Sequence, residues 1–207
     1  MTQVSKAPPP TVKGRDARRR LLEAGKKLFG AHGYAGARVL DITEAAGLSS
    51  GAFYRYFTDR RELLLVLLDE ILAEAFEFAR APWDDQHPAE SVRVTTERYF
   101  DFYDRNVALM GVMVELAQTD PDVREIWRKS RQSFYTRIAH ALSRGAATGA
   151  IRDDIDVEVA AELLGSMTEF YAFQRYALNG DALKDVSAQD AAAALTAIWS
   201  HGVEPKK

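Results

Sequence analysis

The sequence predicts an all-α protein of about nine helices, in which an N-terminal three-helix domain with a helix-turn-helix precedes a larger helical domain. Three observations support this prediction. Apolar residues recur every three or four positions along most of the chain, which is the spacing of one helix face. Residues that start or stop helices separate these segments, as at Asp59 and at Thr119-Asp120-Pro121. No segment shows the convincing alternation of apolar and polar residues that is typical of a strand.

The chain divides into three predicted regions. Residues 1–14 contain three consecutive prolines, two lysines and no apolar periodicity, so we expect a disordered basic arm. Such an arm either contacts a polyanion or serves only as a solubilising extension. Residues 15–60 hold the helix-turn-helix, and residues 61–207 form the larger domain.

The first helix is predicted over residues 16–31, and Gly33 provides a left-handed cap after it. Its first turns are crowded with arginines, although the helix dipole disfavours cations there. Contact with phosphate explains this placement, and so does plain solvation of long side chains. The arginines are Arg15, Arg18, Arg19 and Arg20.

The helix-turn-helix consists of two short predicted helices, residues 39–46 and 50–57, joined by a turn at Gly47. The second helix of such a motif can lie in the major groove of DNA. Its leading end is narrow, since residues 49–52 are Ser, Ser, Gly and Ala, and its bulky aromatic residues come later. This segment therefore has the properties of a DNA reader.

The larger domain begins with a long helix over residues 59–80, for which Asp59 is the N-cap and Glu62 completes a capping box. A proline-rich break follows at residues 82–88. Further helices are predicted at residues 89–105, 107–118, 121–148, 155–179 and 187–202, with one of the breaks at Asn106.

Charge is distributed unevenly along the chain. The first 61 residues carry 12 Lys and Arg against 5 Asp and Glu, whereas the whole chain has a net charge of −3. A basic N-terminal part on an acidic body is typical of a polyanion partner for that part alone. Because the excess coincides with the helix-turn-helix, we interpret it as a nucleic-acid footprint and not as a solvated face.

The sequence does not support several classes of function. The chain has no cysteine, which excludes disulfides and thiolate chemistry, and its longest aliphatic run is too short to span a bilayer. The four histidines show no paired ligand spacing, and the acidic pairs lie in loops before helices, where they act as caps. We therefore expect no enzyme, no cofactor, no metal site and no membrane association.

Together these segments resemble the tetracycline-repressor (TetR) family of bacterial one-component regulators. The resemblance rests on residues 18–33, residues 42–49, and residues 51–57 with Leu63-Leu64, and covers about the first 65 residues. Beyond them the chain agrees with the family in length and helical character. Thr43 stands where the family usually has Ala, which is tolerable if its hydroxyl bonds back to the helix.

The resemblance implies a cytoplasmic transcriptional regulator, expected to be a repressor, that binds a palindromic operator as a homodimer. Ser49 and Ser50 are expected to cap the recognition helix, Gly51 to allow close approach, and Ala52 to contact a thymine methyl. Tyr54 corresponds to a phosphate-binding tyrosine. Arg55 is the candidate guanine reader, with a phosphate contact as the alternative. Further phosphate contacts are expected from Arg15, Arg18, Arg38 and Arg60.

The family places its dimer interface on the last two helices, which here are apolar on more than one face. Which face meets the partner does not follow from the sequence. The candidate interface residues are Leu164, Met167, Tyr171, Leu195, Ile198 and Trp199.

The resemblance also implies a pocket for a small hydrophobic or amphipathic effector. Aromatic and methionine side chains at helical spacing are candidates for its lining, although ordinary core residues have the same spacing. They are Phe100, Tyr103, Met110, Met113, Trp127, Phe134, Phe170 and Phe173. The alternative is an architectural DNA-binding protein, or a regulator without a small-molecule effector.

Overall fold

A computed structural model describes residues 9–78, 83–84, 87–178 and 185–203. Within these ranges the chain forms eight α-helices, one π-helical turn and no strand, so the predicted all-α class is confirmed. Most of the predicted basic arm, residues 1–8, lies outside the described residues. The helices are α1 (Val12–Gly36), α2 (Val39–Ala45), α3 (Ser50–Tyr56), α4 (Arg60–Phe78), α5 (Pro88–Ala117), α6 (Pro121–Ala147), α7 (Val157–Ala172) and α8 (Ala188–Val203), and the π-helical turn is Phe173–Ala177.

The helices group into two compact units. Unit 1 comprises the described residues up to Leu72 together with Ala108–Trp127. Unit 2 comprises Ala73–Val107 and the described residues from Arg128 onward. The unit that holds the helix-turn-helix is therefore larger than the predicted region 15–60, and the division of function at residue 60 stays a prediction.

The predicted helix break at Asn106 is wrong, because α5 runs without interruption from Pro88 to Ala117. Asn106 is buried, and its side-chain amide donates to the carbonyl oxygen of Phe102 at 2.9 Å. Asparagine interrupts helices by competing for backbone groups. Here the amide finds its acceptor one turn back within the same helix, so the backbone pattern is kept.

Helix α1 begins earlier than predicted and continues past the predicted end at Gly33 to Gly36, with a kink at Gly33. Thr11 caps its start, since the Thr11 hydroxyl accepts from the Gly14 amide at 3.1 Å. Gly33 has φ 67° and ψ 174°, a conformation that side chains with a Cβ avoid. The helical path therefore bends at the residue where the sequence predicts the helix end.

The start of α4 is capped as the sequence predicts. Asp59 Oδ1 accepts from the Glu62 amide at 2.8 Å. The Glu62 carboxylate, which is buried, accepts from the amide and the hydroxyl of Thr58 at 2.6 and 2.8 Å. The return bond to Glu62 therefore comes from Thr58, the residue before the cap, and not from Asp59 itself.

The core of unit 1 includes buried residues of α1 to α4, and α1 and α4 pack closely against each other. At Gly25 an added Cβ would lie 2.4 Å from Leu63 Cδ2, so α1 and α4 approach closely at this glycine. Fully buried side chains fill the rest of the unit. They include Leu21, Phe29, Ile42, Phe53, Phe57, Leu63 and Leu64.

The core of unit 2 joins α6, α7 and α8. Its buried members are Ala139, Leu142, Ile151, Ala161, Trp199 and Val203. A Cβ added at Gly165 of α7 would lie 2.1 Å from the Tyr135 ring of α6. The missing side chain at position 165 therefore makes the room in which the tyrosine ring sits.

No helix of the described residues is both long enough and apolar enough to cross a membrane.

We expect Gly165→Ala to lower the free energy of unfolding by about 1 to 3 kcal/mol, because the new methyl group forces the Tyr135 ring to move. Gly111→Ala is the matched control, since Gly111 also lies inside a helix but has no atom within 4 Å of an added Cβ. The control should be neutral or stabilised by up to about 1 kcal/mol through helix propensity. Urea unfolding of both variants measures the difference. Equal stability of the two variants would show that the contact at Tyr135 is not tight.

Candidate nucleic-acid interface and internal cavity

The second helix of the motif, α3, has one buried and one exposed face. Phe53 is completely buried, and its ring lies 5.6 Å from that of Phe57. On the other side Tyr54 is 54% exposed, and Arg55 is exposed beside it. Ser49, Ser50 and Gly51 are exposed at the leading end, where Ala52 is half-buried. The helix therefore presents small residues first and then one phenol and one guanidinium.

The start of α3 is fixed by its cap. The Ser49 hydroxyl accepts from the Ala52 amide at 3.2 Å, as expected of a serine at this position. The helix has only seven residues, so an isolated peptide of this length would not hold its shape. The Ser49 cap and the burial of Phe53 supply the stability that so short a helix lacks by itself.

The turn between α2 and α3 is held from α1 by Arg20. Its guanidinium donates to the carbonyl oxygens of Ala46 and Gly47. Gly47 has φ 62°, and a Cβ there would lie 2.6 Å from the Arg20 guanidinium. The positive φ favours glycine at this position, and a side chain there would also have to displace the Arg20 guanidinium. The arginine therefore has a structural role that the sequence analysis did not assign to it.

Thr43, buried in α2, donates its hydroxyl hydrogen to the carbonyl oxygen of Leu40 at 2.9 Å. This is the bond to the helix that makes threonine tolerable at the position.

The predicted phosphate-binding arginines fall into two groups. Arg15, Arg38 and Arg55 are exposed. Arg15 also donates to the Pro10 carbonyl at 2.7 Å, at the edge of unit 1. Arg18 is only partly exposed, since it pairs with Glu70 at 3.3 Å and lies over the Phe57 ring at 5.5 Å. An arginine held in this way reaches a phosphate only by giving up its partners.

Arg60 differs most from the prediction. Its guanidinium donates to the carbonyl oxygens of Tyr34, Ala35 and Ala37 at 3.1, 3.3 and 2.6 Å. It also stacks over the Tyr34 ring at 4.6 Å from the centroid. These carbonyls follow the kink at Gly33, where the helix no longer pairs them. The contacts make Arg60 a cap for α1, and its phosphate contact stays a prediction.

Arg61 forms an ion pair inside unit 1. Its guanidinium binds both oxygens of Asp120 at 2.7 Å and reaches Asp122 at 2.8 Å. The hydrogen bonds from Arg61 hold the pKa of Asp120 below its ordinary value. The pair thus ties the start of α4 to the turn before α6 and is charged at neutral pH.

Unit 2 contains a cavity of about 220 Å³ that is partly open to solvent. Its walls are mainly apolar, with two tryptophans, and the charged groups come from α6. The lining residues are Trp83, Val92, Thr95, Thr96, Phe134, Arg137, Ile138, His140, Ala141, Leu142, Arg144, Leu164, Thr168, Leu195 and Trp199.

Of the eight residues predicted to line a pocket, only Phe134 lines this cavity. Phe100 and Tyr103 are buried in an aromatic cluster, and their rings contact that of Tyr176. Phe170 is 61% exposed, and Phe173 lies in the π-helical turn. Met110, Met113 and Trp127 belong to unit 1, so the prediction that they line this cavity is corrected.

A half-buried polar network lies between α6 and α7. Arg131 pairs with Glu169 at 2.7 Å, and the Tyr135 hydroxyl donates to the same carboxylate at 3.1 Å. Burial raises the pKa of Glu169, while Arg131 and Tyr135 oppose that rise. Burial also raises the pKa of Tyr103 to about 12. The network satisfies a carboxylate that would otherwise be costly to bury.

The outer face of α7 carries a row of exposed apolar side chains. Val159, Leu163, Met167 and Phe170 follow one another at four- and three-residue intervals and are 38 to 66% exposed. Ile198 of α8 is 64% exposed. Apolar side chains contiguous along a helix and open to water are typical of an interface. We call this row the α7 row.

The predicted dimer residues divide between the two sides of these helices. Met167 and Ile198 are exposed, whereas Leu195 and Trp199 are buried at 8% and 4% exposure and line the cavity. Leu164 lines the cavity as well. Tyr171 packs against Phe100 at 5.1 Å between ring centroids. Leu195 and Trp199 are therefore corrected to internal core, whereas the interface role of the half-buried Leu164 and Tyr171 stays a prediction.

Among the described residues, no group of three or more His, Asp or Glu side chains is arranged to hold a metal ion.

Comparison with known proteins matches both parts of the chain. Residues 21–67 match the family described as bacterial regulatory proteins, tetR family. Residues 92–203, more than half of the chain, match the C-terminal domain of the transcriptional regulator EthR.

Among full-length relatives, the chain is 30% identical over 144 residues to the HTH-type transcriptional repressor AcnR of Corynebacterium efficiens, covering 70% of this chain and 73% of AcnR. It is 26% identical over 195 residues to the HTH-type transcriptional regulator EthR of Mycolicibacterium smegmatis, covering 92% and 87%. Among solved structures, a regulator from Saccharomonospora viridis in complex with choline superposes with a TM-score of 0.73 at 21% identity, covering 91% and 97%.

We expect Arg60→Met to lower the free energy of unfolding by about 1 to 3 kcal/mol, because three carbonyl groups lose a charged donor. Arg15→Met is the control, since its guanidinium is exposed at the end of the described chain. That variant should unfold at nearly the wild-type urea concentration. Unchanged stability of the Arg60 variant would return this arginine to the candidate phosphate contacts.

Proposed function

The chain belongs to the tetR family of bacterial regulatory proteins, and we propose that it is a cytoplasmic, homodimeric repressor whose binding to a palindromic operator is relieved by a small hydrophobic or amphipathic effector. The observation that carries this proposal is the exposed face of α3. It is narrow at its leading end, basic at its trailing end and anchored from behind by Phe53.

The exposed face of α3 suits the major groove. Gly51 lets the backbone approach the DNA closely, and Ala52 offers a methyl group for a thymine methyl. Tyr54 has a hydroxyl that suits a phosphate oxygen, which fixes the register of the protein on the duplex. Arg55 offers the bidentate fork that matches the O6 and N7 atoms of guanine. Exposed Arg38, at the start of α2, supplies a further phosphate contact.

A second copy is proposed for energetic reasons. One seven-residue helix offers too few base contacts for a selective site, whereas two helices spaced about one turn of DNA apart read a palindrome. The α7 row supplies an apolar surface for pairing, with Ile198 of α8 as a further exposed residue. Burying Leu163 and Phe170 against their copies removes from water the largest side chains of this row.

The effector site that we propose is the cavity of unit 2. A cavity lined mainly by apolar side chains with a few polar groups is the usual form of a small-molecule site. Its occupant regulates DNA binding only if it binds the DNA-competent and the released states with different affinity. The choline-bound regulator from Saccharomonospora viridis supports a ligand in a protein of this fold.

Selection of binding sites from random duplexes tests the proposal directly. We expect a palindrome whose half-sites lie about one helical turn apart. The preference for the selected duplex over random DNA should be about a thousandfold or more at fixed salt. Comparable binding of both duplexes would instead indicate an architectural DNA-binding protein.

We expect Tyr54→Ala to weaken binding to every duplex by a similar factor, because a phosphate contact carries no sequence information. Arg55→Ala should in addition relax the preference at one base pair by about 5- to 150-fold, the range of a bidentate base contact. Tyr54→Phe, which keeps the ring beside Phe53, isolates the hydroxyl. Competition binding against single-base variants of the selected site gives these factors. An equal loss on all duplexes for the Arg55 variant would make this arginine a phosphate contact.

We expect Leu163→Glu to convert the dimer to a monomer, because it places a carboxylate in the middle of the α7 row. Val12→Glu is the control, since Val12 is 75% exposed and lies on α1, which belongs to unit 1 and not to the α7 row. Sedimentation velocity separates the two species. A Leu163 variant that stays as dimeric as the control would exclude the α7 row as the interface.

A further inference from the structure

We propose that filling the cavity of unit 2 weakens the pairing of two copies of the chain, and that α7 transmits the effect. This inference rests on the proposed function, since it states how the proposed effector site acts on the proposed homodimer. It is carried by the position of α7, which lines the cavity with one face and carries the α7 row on another.

Neighbouring residues of α7 belong to these two different surfaces. Leu164 and Thr168 line the cavity, and Thr168 is only 5% exposed. The residues directly before them, Leu163 and Met167, belong to the α7 row and are 66% and 38% exposed. Successive residues of an α-helix lie about 100° apart around its axis, because one turn takes about 3.6 residues. The cavity face and the α7 row are therefore two sides of one helix, and a shift of that helix moves both.

Helix α8 repeats this arrangement. Leu195 and Trp199 line the cavity and are buried, whereas Ile198, directly before Trp199, is 64% exposed. Both helices that carry exposed apolar residues thus also form walls of the cavity. An occupant of the cavity therefore contacts the two helices that we propose for pairing.

A third face of α7 is fixed to α6. A Cβ added at Gly165 would lie 2.1 Å from the Tyr135 ring, so the helix backbone and this ring are in direct contact. One turn later, Glu169 accepts a hydrogen bond from the Tyr135 hydroxyl at 3.1 Å and pairs with Arg131 at 2.7 Å. Hydrogen bonds to charged groups have a defined geometry. We call Gly165 and Glu169 the fixed face of α7.

The three faces of α7 determine how an occupant acts. Atoms added to the cavity contact Leu164 and Thr168, and they favour the position of α7 that accommodates them best. Because protein interiors are close-packed, the helix moves as a body instead of absorbing the added volume. Its fixed face stays on α6, so the α7 row is the side that is displaced. Helices at subunit interfaces typically shift by about 1 to 2 Å in such transitions.

Weaker pairing is the expected direction. Two apolar surfaces that fit each other lose van der Waals contacts when one of them is displaced, and each gap forfeits part of the attraction. This direction also agrees with the proposed release from the operator, which needs two copies to bind selectively.

A cavity-filling substitution tests the proposal without a known effector. Ala141 of α6 lines the cavity and is 4% exposed, so Ala141→Trp places an indole in the space that an effector would occupy. Ala147→Trp is the matched control, since Ala147 is exposed near the end of the same helix and does not line the cavity. The measurement is the rate of subunit exchange between two differently labelled samples of the full-length chain.

We expect Ala141→Trp to exchange subunits about 5- to 150-fold faster than the control, the usual range of coupling between two sites. Differences in affinity between related interfaces appear mainly in the dissociation rate, which subunit exchange reports. Circular dichroism checks that both variants are folded. Ala141→Leu takes the place of the tryptophan variant if that variant does not fold. Exchange of the folded cavity variant at the rate of the control, or more slowly, would overturn the proposal.

A second substitution tests the role of the fixed face. Tyr135→Phe keeps the ring against Gly165 but removes the hydroxyl that bonds Glu169. In this background the effect of Ala141→Trp should shrink by at least about twofold, the lower end of the coupling between residues of one network. An effect of undiminished size would reject the contact with α6 as the constraint that directs the movement.

The inference and the proposed function fail separately. Exchange that is unchanged in the Ala141 variant, together with dissociation of the Leu163→Glu variant, rejects the coupling and leaves the α7 row as the interface. Operator binding that is weakened by Ala141→Trp at an unchanged exchange rate also rejects the coupling, but it leaves the cavity as the regulatory site. A Leu163→Glu variant that stays dimeric rejects the proposed interface itself.

Discussion

The anchoring of α3 is the constraint on which the proposed activity depends. A helix of seven residues does not persist by itself, since nucleating a helix costs more than so few hydrogen bonds return. Its position is set by three contacts: the buried ring of Phe53, the Ser49 cap and the hold of Arg20 on the turn before it. Phe53 and Arg20 act on the side away from the exposed Tyr54 and Arg55, so the proposed DNA-facing residues do not hold the helix in place.

In unit 2, the helices α7 and α8 are each apolar on two sides. One side of each helix closes the core and the cavity through Leu164, Leu195 and Trp199. The other side carries the α7 row and Ile198. The network around Glu169 lies between α6 and α7 and adds a polar contact of defined geometry to a core of apolar groups. Directional contacts of this kind specify one helix register where apolar packing alone tolerates several.

Local signals in the sequence were sufficient for the helix-turn-helix, because caps and turns depend on neighbouring residues. Ser49 and Asp59 act as caps where the sequence predicts, and Gly33 interrupts the helix where its end is predicted. Long-range partners were not predictable. Nothing in the sequence tells that Arg60 caps the carbonyls after α1, or that Trp199 points inward while its neighbour Ile198 is exposed. The cavity was missed for the same reason: its charged residues on α6 have helical spacing, but that spacing is equally typical of a solvated face. The prediction of a helix break at Asn106 was wrong, because an asparagine does not interrupt a helix once its amide has an acceptor in the same helix.

The α7 row also bears on how much of the protein a cell must make. If the proposed homodimer forms through this row, its association is second order in chain concentration, so the population of pairs falls faster than the number of molecules when synthesis slows. Occupancy of the proposed operator would then respond steeply to the copy number of the protein.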